Sequence, residues 1–206
     1  MNDRDAVLSR LDVSRETSQR LDTYANLLVK WNKAINLVAP ATLPDLWARH
    51  FMDSAQVLKH AGHSGLWVDI GTGGGFPGLV CAIIAHETSP DLTFEFIESD
   101  QRKCTFLSTV LRETGVSAQI HANRAESLPS RSAQVLSARA MAPLTTLLSF
   151  ADQHLAPDGK ALFLKGAQHE TEIAKALENW NFDVQKHPSE TDPSGALLTI
   201  GNISRV

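Results

Sequence analysis

Between positions 14 and 37 apolar residues return at helical spacing. Leu21, Tyr24, Leu28, Trp31 and Ile35 fall three or four residues apart, which places them on one face of a single long helix, and Ser14 stands where an N-cap belongs. Pro40 and Pro44 punctuate the chain before a second helical pattern over 45–59, with Leu46, Phe51, Val57 and Leu58 apolar. From residue 66 short apolar runs alternate with helical stretches. Strands are expected at 66–70, 92–97, 117–121, 133–138 and 160–165, and helices at 77–86, 100–113, 143–154 and 169–179. Strands joined through helices require right-handed crossovers, hence an α/β fold with a mostly parallel sheet covered on both faces. The runs 182–185 and 196–200 have no helix between them and predict a closing antiparallel pair. The chain then divides into an N-terminal helical extension, 1–62, and one compact α/β domain, 63–206.

Composition adds limits. A chain of 206 residues with 43% hydrophobic and 20% charged positions can bury one sizeable core. A net charge of −4 argues against a generic nucleic-acid coat, so an RNA substrate would be held by few, local contacts or by the shape of a folded particle. The charged start Met1-Asn2-Asp3-Arg4-Asp5 lacks an apolar signal core and no segment has the apolar length of a membrane span, so a cytoplasmic location is expected. Cys81 and Cys104 form neither a disulfide framework nor a metal-ligand pattern; no metal site is expected, and both read as small buried residues.

Candidate chemistry concentrates where the apolar run Leu66-Trp67-Val68-Asp69-Ile70 meets Gly71-Thr72-Gly73-Gly74-Gly75-Phe76-Pro77-Gly78. Strand, glycine loop and helix in that order set free backbone N–H groups and a helix N-terminus beside a nucleotide-like ligand. Gly73-x-Gly75-x-x-Gly78 satisfies the dinucleotide fingerprint, so a nicotinamide or flavin cofactor and a ligand-free turn stay open as alternatives. Asp69 favours another ligand: a carboxylate there repels a pyrophosphate and suits a cofactor with a cationic amino-acid end. The string Asp69-x-Gly71-x-Gly73-x-Gly75 is similar to the first motif of class I methyltransferases, which bind S-adenosyl-L-methionine.

In an open parallel sheet, ligands sit beyond the carboxyl ends of the strands. The second strand ends at Glu98, whose carboxylate can accept both ribose hydroxyls. After the third come Arg124-Ala125-Glu126, where a small residue leaves room for an adenine ring. The fourth ends at Arg139, whose guanidinium can grip the cofactor carboxylate, or contact a phosphate or a guanine. Lys165 ends the fifth and is placed to hold an RNA phosphate. Upstream, Arg49, His50, Asp53 and Ser54 form a polar cluster expected to wall the pocket, while the amides Asn32 and Asn36 after Trp31 are not needed for packing. The loop after the fourth strand lacks the Asn/Asp-Pro-Pro-aromatic motif that holds an exocyclic amine, and neither cysteine follows a proline as a C5-pyrimidine nucleophile would. An acceptor that is already nucleophilic and loses no proton fits this pattern, and guanine N7 is such an atom.

Together these segments resemble one family. Trp31-Asn32-Lys33-x-x-Asn36-Leu37, Arg49-His50-x-x-Asp53-Ser54, Asp69 through Gly78, Glu98-Ser99, Arg102-Lys103, Phe106-Leu107, Arg124-Ala125-Glu126, Arg139-Ala140-x-Ala142-Pro143-Leu144 and Leu164-Lys165-Gly166 occur in order. This looks like the bacterial 16S rRNA guanine-N7 methyltransferase family, also called glucose-inhibited division protein B. The resemblance implies a class I, Rossmann-like methyltransferase fold and methyl transfer from S-adenosyl-L-methionine, which leaves S-adenosyl-L-homocysteine. The implied acceptor is N7 of one guanine in the 16S rRNA loop beside the decoding site, met in the 30S subunit or an assembly intermediate by a monomeric enzyme. It also implies that Gly71, Gly73, Phe76, Ala125, Glu126 and Arg139 contact the cofactor, with Glu98 on the ribose. Arg139 would help to position the substrate, and Lys165 and the basic side of the N-terminal helices would meet RNA. Two positions depart from the family pattern: Ala138 stands where serine usually precedes the arginine, and Ser194-Gly195-Ala196 replace a basic residue before the last strand.

Overall fold

The computed structural model describes residues 3–206; Met1 and Asn2, which open the charged N-terminal stretch, lie outside the described residues. Strands β1 (Ser64–Ile70), β2 (Asp91–Ile97), β3 (Gln119–His121), β4 (Ala133–Arg139), β5 (Leu155–Lys165), β6 (Trp180–Pro188) and β7 (Ala196–Arg205) form one sheet in the order β3-β2-β1-β4-β5-β7-β6. The first five run parallel, whereas β7 pairs antiparallel with both β5 and β6. Strand order reverses beside β1, so the cleft between β1 and β4 is the topological switch point where ligands of such sheets collect.

Alternation along each strand sorts the core into two halves. Trp67, Phe94, Phe96, Val135 and Leu162 face one side, and Val68, Ile97, Leu136, Ala161 and Phe163 the other. The first side carries α4 (Gly78–Thr88) and α5 (Gln101–Thr114), and the second carries α6 (Leu144–His154) and α7 (His169–Ala176). Gly78 through Ala85 are all buried. A helix apolar on every side needs cover on its outer face as well. That cover comes from α2 (Arg15–Trp31) and α3 (Asp53–Ala55), so one core runs unbroken from Val7 in α1 (Asp3–Leu11) to Leu197.

Most expected elements are present, and the differences have local causes. Ser14 caps α2 as anticipated, its Oγ accepting from Thr17 N at 3.0 Å. The helix stops at Trp31 rather than 37 because the buried Asn32 Oδ1 accepts from Leu37 N and Val38 N, at 2.9 and 3.0 Å, and turns the chain back. The expected helix over 45–59 is a π-helical stretch Trp47–Met52, then α3, then a 3-10 stretch Gln56–His60. Its first turn is held from a distance: Asp3 Oδ2 accepts from Trp47 N and Ala48 N, at 3.0 and 3.2 Å. Pro77 stands one place ahead of α4 as its cap, behind a cis Phe76–Pro77 peptide. The closing pair extends well beyond 182–185 and 196–200, to Trp180–Pro188 and Ala196–Arg205.

Candidate active site

The glycine loop between β1 and α4 takes its shape from what presses on it. Gly75 has φ of +99°, and a Cβ there would lie 2.5 Å from the Tyr24 hydroxyl. That hydroxyl, buried with its ring stacked on Phe76, donates to the Gly74 carbonyl. Gly78 permits an equally tight approach, since a Cβ there would sit 2.6 Å from Asp69 Cβ.

Asp69 itself departs from its expected role. The side chain is fully buried beneath the loop, with Oδ2 accepting from Gly78 N at 3.1 Å and Oδ1 from Ser137 Oγ at 2.5 Å. Ser137 Oγ in turn accepts from Trp67 Nε1 at 2.8 Å. The carboxylate therefore ties β1, β4 and the start of α4 together instead of greeting a cationic ligand. Burial pushes its pKa up to about 6 against the opposing pull of these hydrogen bonds. Ser137 takes part in this brace one place before Ala138.

Beyond the strand ends a cleft of about 280 Å³ gathers Gly71, Glu98, Ala125, Glu126 and Arg139, with Ile70, Ile97 and Met141 as apolar walls. Glu98 is 7% exposed, and its two oxygens accept from Gly73 N at 2.9 Å and Asp100 N at 2.8 Å. Each oxygen retains a lone pair, so the carboxylate can still accept two hydroxyls from a ribose. Gly73 thus touches the cleft through Glu98. Phe76 does not line it; the ring is buried behind, with the Arg139 guanidinium 4.6 Å above its centroid. Lys103 and Arg124 line the cleft and went unassigned in the sequence.

Arg139 separates this cleft from a second cavity of about 310 Å³ that also contains Ala140, Arg49, Asp53 and Lys165. Three groups from the segment before β1 fix its guanidinium: the Arg49 carbonyl and Asp53 Oδ2, each at 3.3 Å, and His50 Nδ1 at 2.8 Å. Arginine can only donate, so His50 Nδ1 is an unprotonated acceptor and Nε2–H donates to Thr42 Oγ1 at 2.8 Å. Burial, with the charges of Arg139 and Arg49, pushes the His50 pKa down to about 3, which keeps the ring neutral. Of the cluster expected to wall the pocket, Arg49 and Asp53 line the second cavity and His50 braces Arg139 from behind, while none of the three lines the cleft at the glycine loop. Ser54 is buried.

Lys165 is in the second cavity, yet its charge is already engaged. Nζ lies 2.7 Å from Glu172 Oε2 and donates to the Ala142 carbonyl at 3.0 Å, and the side chain is 7% exposed. Sequence reasoning missed the far wall of this cavity, the β6–β7 loop with Ser189, Thr191 and Asp192. Thr191 Oγ1 donates to Asp53 Oδ1 at 2.9 Å and fastens that loop to the N-terminal extension. No local signal identifies these residues, because Pro188 through Gly195 read only as a polar connection.

The family described as rRNA small subunit methyltransferase G matches residues 17–193. A protein of Cereibacter sphaeroides named ribosomal RNA small subunit methyltransferase G is 49% identical over 203 residues, 98% of each chain. The protein of that name from Ruegeria pomeroyi is also 49% identical, over 95% of this chain and 96% of its own. Among solved structures, a ribosomal protein L11 methylase from Lactobacillus delbrueckii subsp. bulgaricus superposes with a TM-score of 0.57 at 20% identity, covering 74% of this chain and 76% of its own. That likeness shows the fold, a class I methyltransferase sheet. On the extent of the family match and the level of identity, this chain belongs to the rRNA small subunit methyltransferase G family.

Proposed function

We propose that this chain methylates N7 of a guanine in 16S rRNA, using S-adenosyl-L-methionine held in the cleft at Glu98. When bound, that cofactor supplies a methyl on a sulfonium; the N7 lone pair forms the new C–N bond as the C–S bond breaks, its electrons staying on sulfur and no proton leaving the acceptor. The donor set fits such a group: Glu98 offers acceptors for a ribose diol, Ile70, Ile97, Ala125 and Met141 offer apolar surface to an adenine, and the backbone of Gly71 lines the cleft. The same carboxylate disfavours a ribose 2′-phosphate.

The observation that carries the reading is Arg139 as a shared wall between two cavities, with His50 and Asp53, the two titratable groups that touch its guanidinium, already engaged. His50 gives its lone pair to Arg139. Asp53 accepts from Arg139, Gln56 and Thr191. An acceptor that needs no deprotonation suits a site furnished this way, and catalysis rests on alignment and fixed charge. An RNA substrate is supported by Lys30, Lys33, Arg49, Lys103 and Arg124, whose charges have no hydrogen-bonded or ion-paired partner among the described residues. Lys103 and Arg124 line the cleft and Arg49 the second cavity, so three of these cations stand where phosphates would pass. The substrate form is the 30S subunit or an assembly intermediate, met by a monomer in the cytoplasm.

The test is incubation of unmethylated 30S subunits with labelled S-adenosyl-L-methionine, then mapping of N7-methylguanine by chemical strand scission. Label at one 16S rRNA guanine is expected. No incorporation into subunits or naked rRNA overturns the reading.

A further inference from the structure

Resting on the proposed guanine-N7 reading, we propose that the second cavity is the acceptor-base pocket and that Asp192 and Arg49 select guanine there. The cavity's volume of about 310 Å³ is that of a small-molecule site, and it adjoins the cofactor cleft across Arg139 and Ala140. A base extruded from an RNA loop into it presents its ring to that shared wall.

Six charged side chains line the cavity, and four of them neutralise one another. Arg139 pairs with Asp53, and Lys165 with Glu172. Glu172 Oε2 also accepts from Leu144 N at 2.7 Å, and Asp53 Oδ1 from Thr191 and Gln56. Arg49 and Asp192 keep open valence. Asp192 Oδ1 accepts from Ser194 N and Ser194 Oγ, at 2.9 and 2.7 Å, while Oδ2 accepts from no side chain among the described residues. The Arg49 guanidinium has no hydrogen-bonded or ion-paired partner among them either; the Asp192 carboxyl is held below its ordinary range chiefly by the Ser194 hydrogen bonds, with the charge of Arg49 adding to them. The pocket therefore offers one cationic donor and one anionic acceptor.

Guanine matches that pair. With N7 turned to the Arg139 wall, O6 lies on the same edge and accepts from Arg49, while N1–H and the N2 amine donate to Asp192 Oδ2. Adenine presents a donor where guanine has O6 and an unprotonated N1 where guanine has N1–H, so it meets both residues with the wrong polarity.

Asp192→Asn tests this cleanly, because the amide oxygen still accepts from Ser194 while an N–H₂ replaces the acceptor facing the base. Methylation is measured on 30S subunits reconstituted with either guanosine or inosine, which lacks the N2 amine, at the acceptor position. On guanosine particles kcat/KM is expected to fall at least tenfold in the variant. On inosine particles, where N1–H remains but the N2 amine is gone, the wild type is already slowed and the variant's loss is expected to be at least threefold smaller than on guanosine. Affinity for S-adenosyl-L-homocysteine is expected to stay within twofold of wild type. Equal losses on both acceptors, or no loss on guanosine, overturn the assignment of Asp192 while leaving the methyltransferase reading intact. Wild-type protein that labels no guanine N7 overturns both.

Discussion

Asp69→Asn perturbs the brace under the glycine loop, and its effect on stability changes with pH in a calculable way. The wild-type carboxyl is fully buried, and its pKa stands at about 6 against an ordinary value of 3.8. Two pKa units correspond to about 3 kcal/mol. The folded value lies above the unfolded one, so the folded state holds its proton more tightly. The stabilisation this confers is complete below pH ~4 and disappears as pH rises through about 6. At neutral pH the native protein carries a buried charge that costs about 3 kcal/mol relative to acid. Asparagine removes that titration but cannot keep both contacts: whichever way the amide faces, either Gly78 N–H or the Ser137 hydroxyl loses its acceptor, at a cost of about 1–2 kcal/mol. The variant is therefore expected to be less stable than wild type at pH 4.5 and more stable, by about 1–2 kcal/mol, at pH 7.5. Urea unfolding of both proteins across that range measures the difference directly. The contributions of other carboxylates cancel in the comparison. If the two stability curves run parallel from pH 4.5 to 7.5, Asp69 does not titrate there and the account of the buried carboxyl fails.

Three further outcomes follow from contacts of the site. Tyr24→Phe strands the Gly74 carbonyl in the core and is expected to lower stability by about 1–3 kcal/mol and to weaken S-adenosyl-L-homocysteine binding, measured by chemical denaturation and calorimetry; unchanged values for both would mean α2 does not set the loop. Glu98→Ala removes the acceptor shared by Gly73 N and Asp100 N, so cofactor affinity should drop by about 1–2 kcal/mol in a titration, and an unaltered Kd would place the ribose elsewhere. Lys165→Met leaves Glu172 without its cation and should lower Tm, whereas the Lys165→Met/Glu172→Gln double variant should recover most of it. If the double variant regains stability but not rRNA methylation, Lys165 contributes to RNA as well as to this pair; if it regains both, the pair is the whole of its role.

What the chain reveals locally was enough for the sheet and the cleft. The strand-end positions of Glu98, Ala125 and Arg139 could be found because a parallel sheet puts its ligands at the carboxyl ends of strands, wherever those strands lie in sequence. What stayed hidden depends on long-range partners. Asp3 caps a helical turn that begins at Trp47, so neither the helix α1 nor its purpose shows in the short charged segment that forms it. Asp69 has the residue type expected of a ligand contact, and only its burial against Gly78 and Ser137 shows that it supports the loop. Asn32 looked free for function and proves to be the residue that ends α2. Asp192 lay in a loop whose docking on Asp53, through Thr191, no periodicity encodes.

These long-range contacts make the segment before β1 part of the site. Arg139 stands at the end of β4, yet the Arg49 carbonyl, His50 and Asp53 that aim its guanidinium all come from that segment, as does Tyr24, which clamps the glycine loop. His50 carries no charge of its own into this arrangement. Its neutral ring joins Arg139 to Thr42, and the Thr42 hydroxyl donates onward to the Ala39 carbonyl at 2.7 Å. A charged imidazole would lose its acceptor at Nδ1 and face the guanidinium as a second cation, so the contact with Arg139 requires the neutral ring that burial favours. The sheet supplies the cleft at Glu98, and the segment before β1 decides where that cleft stops and the second cavity begins.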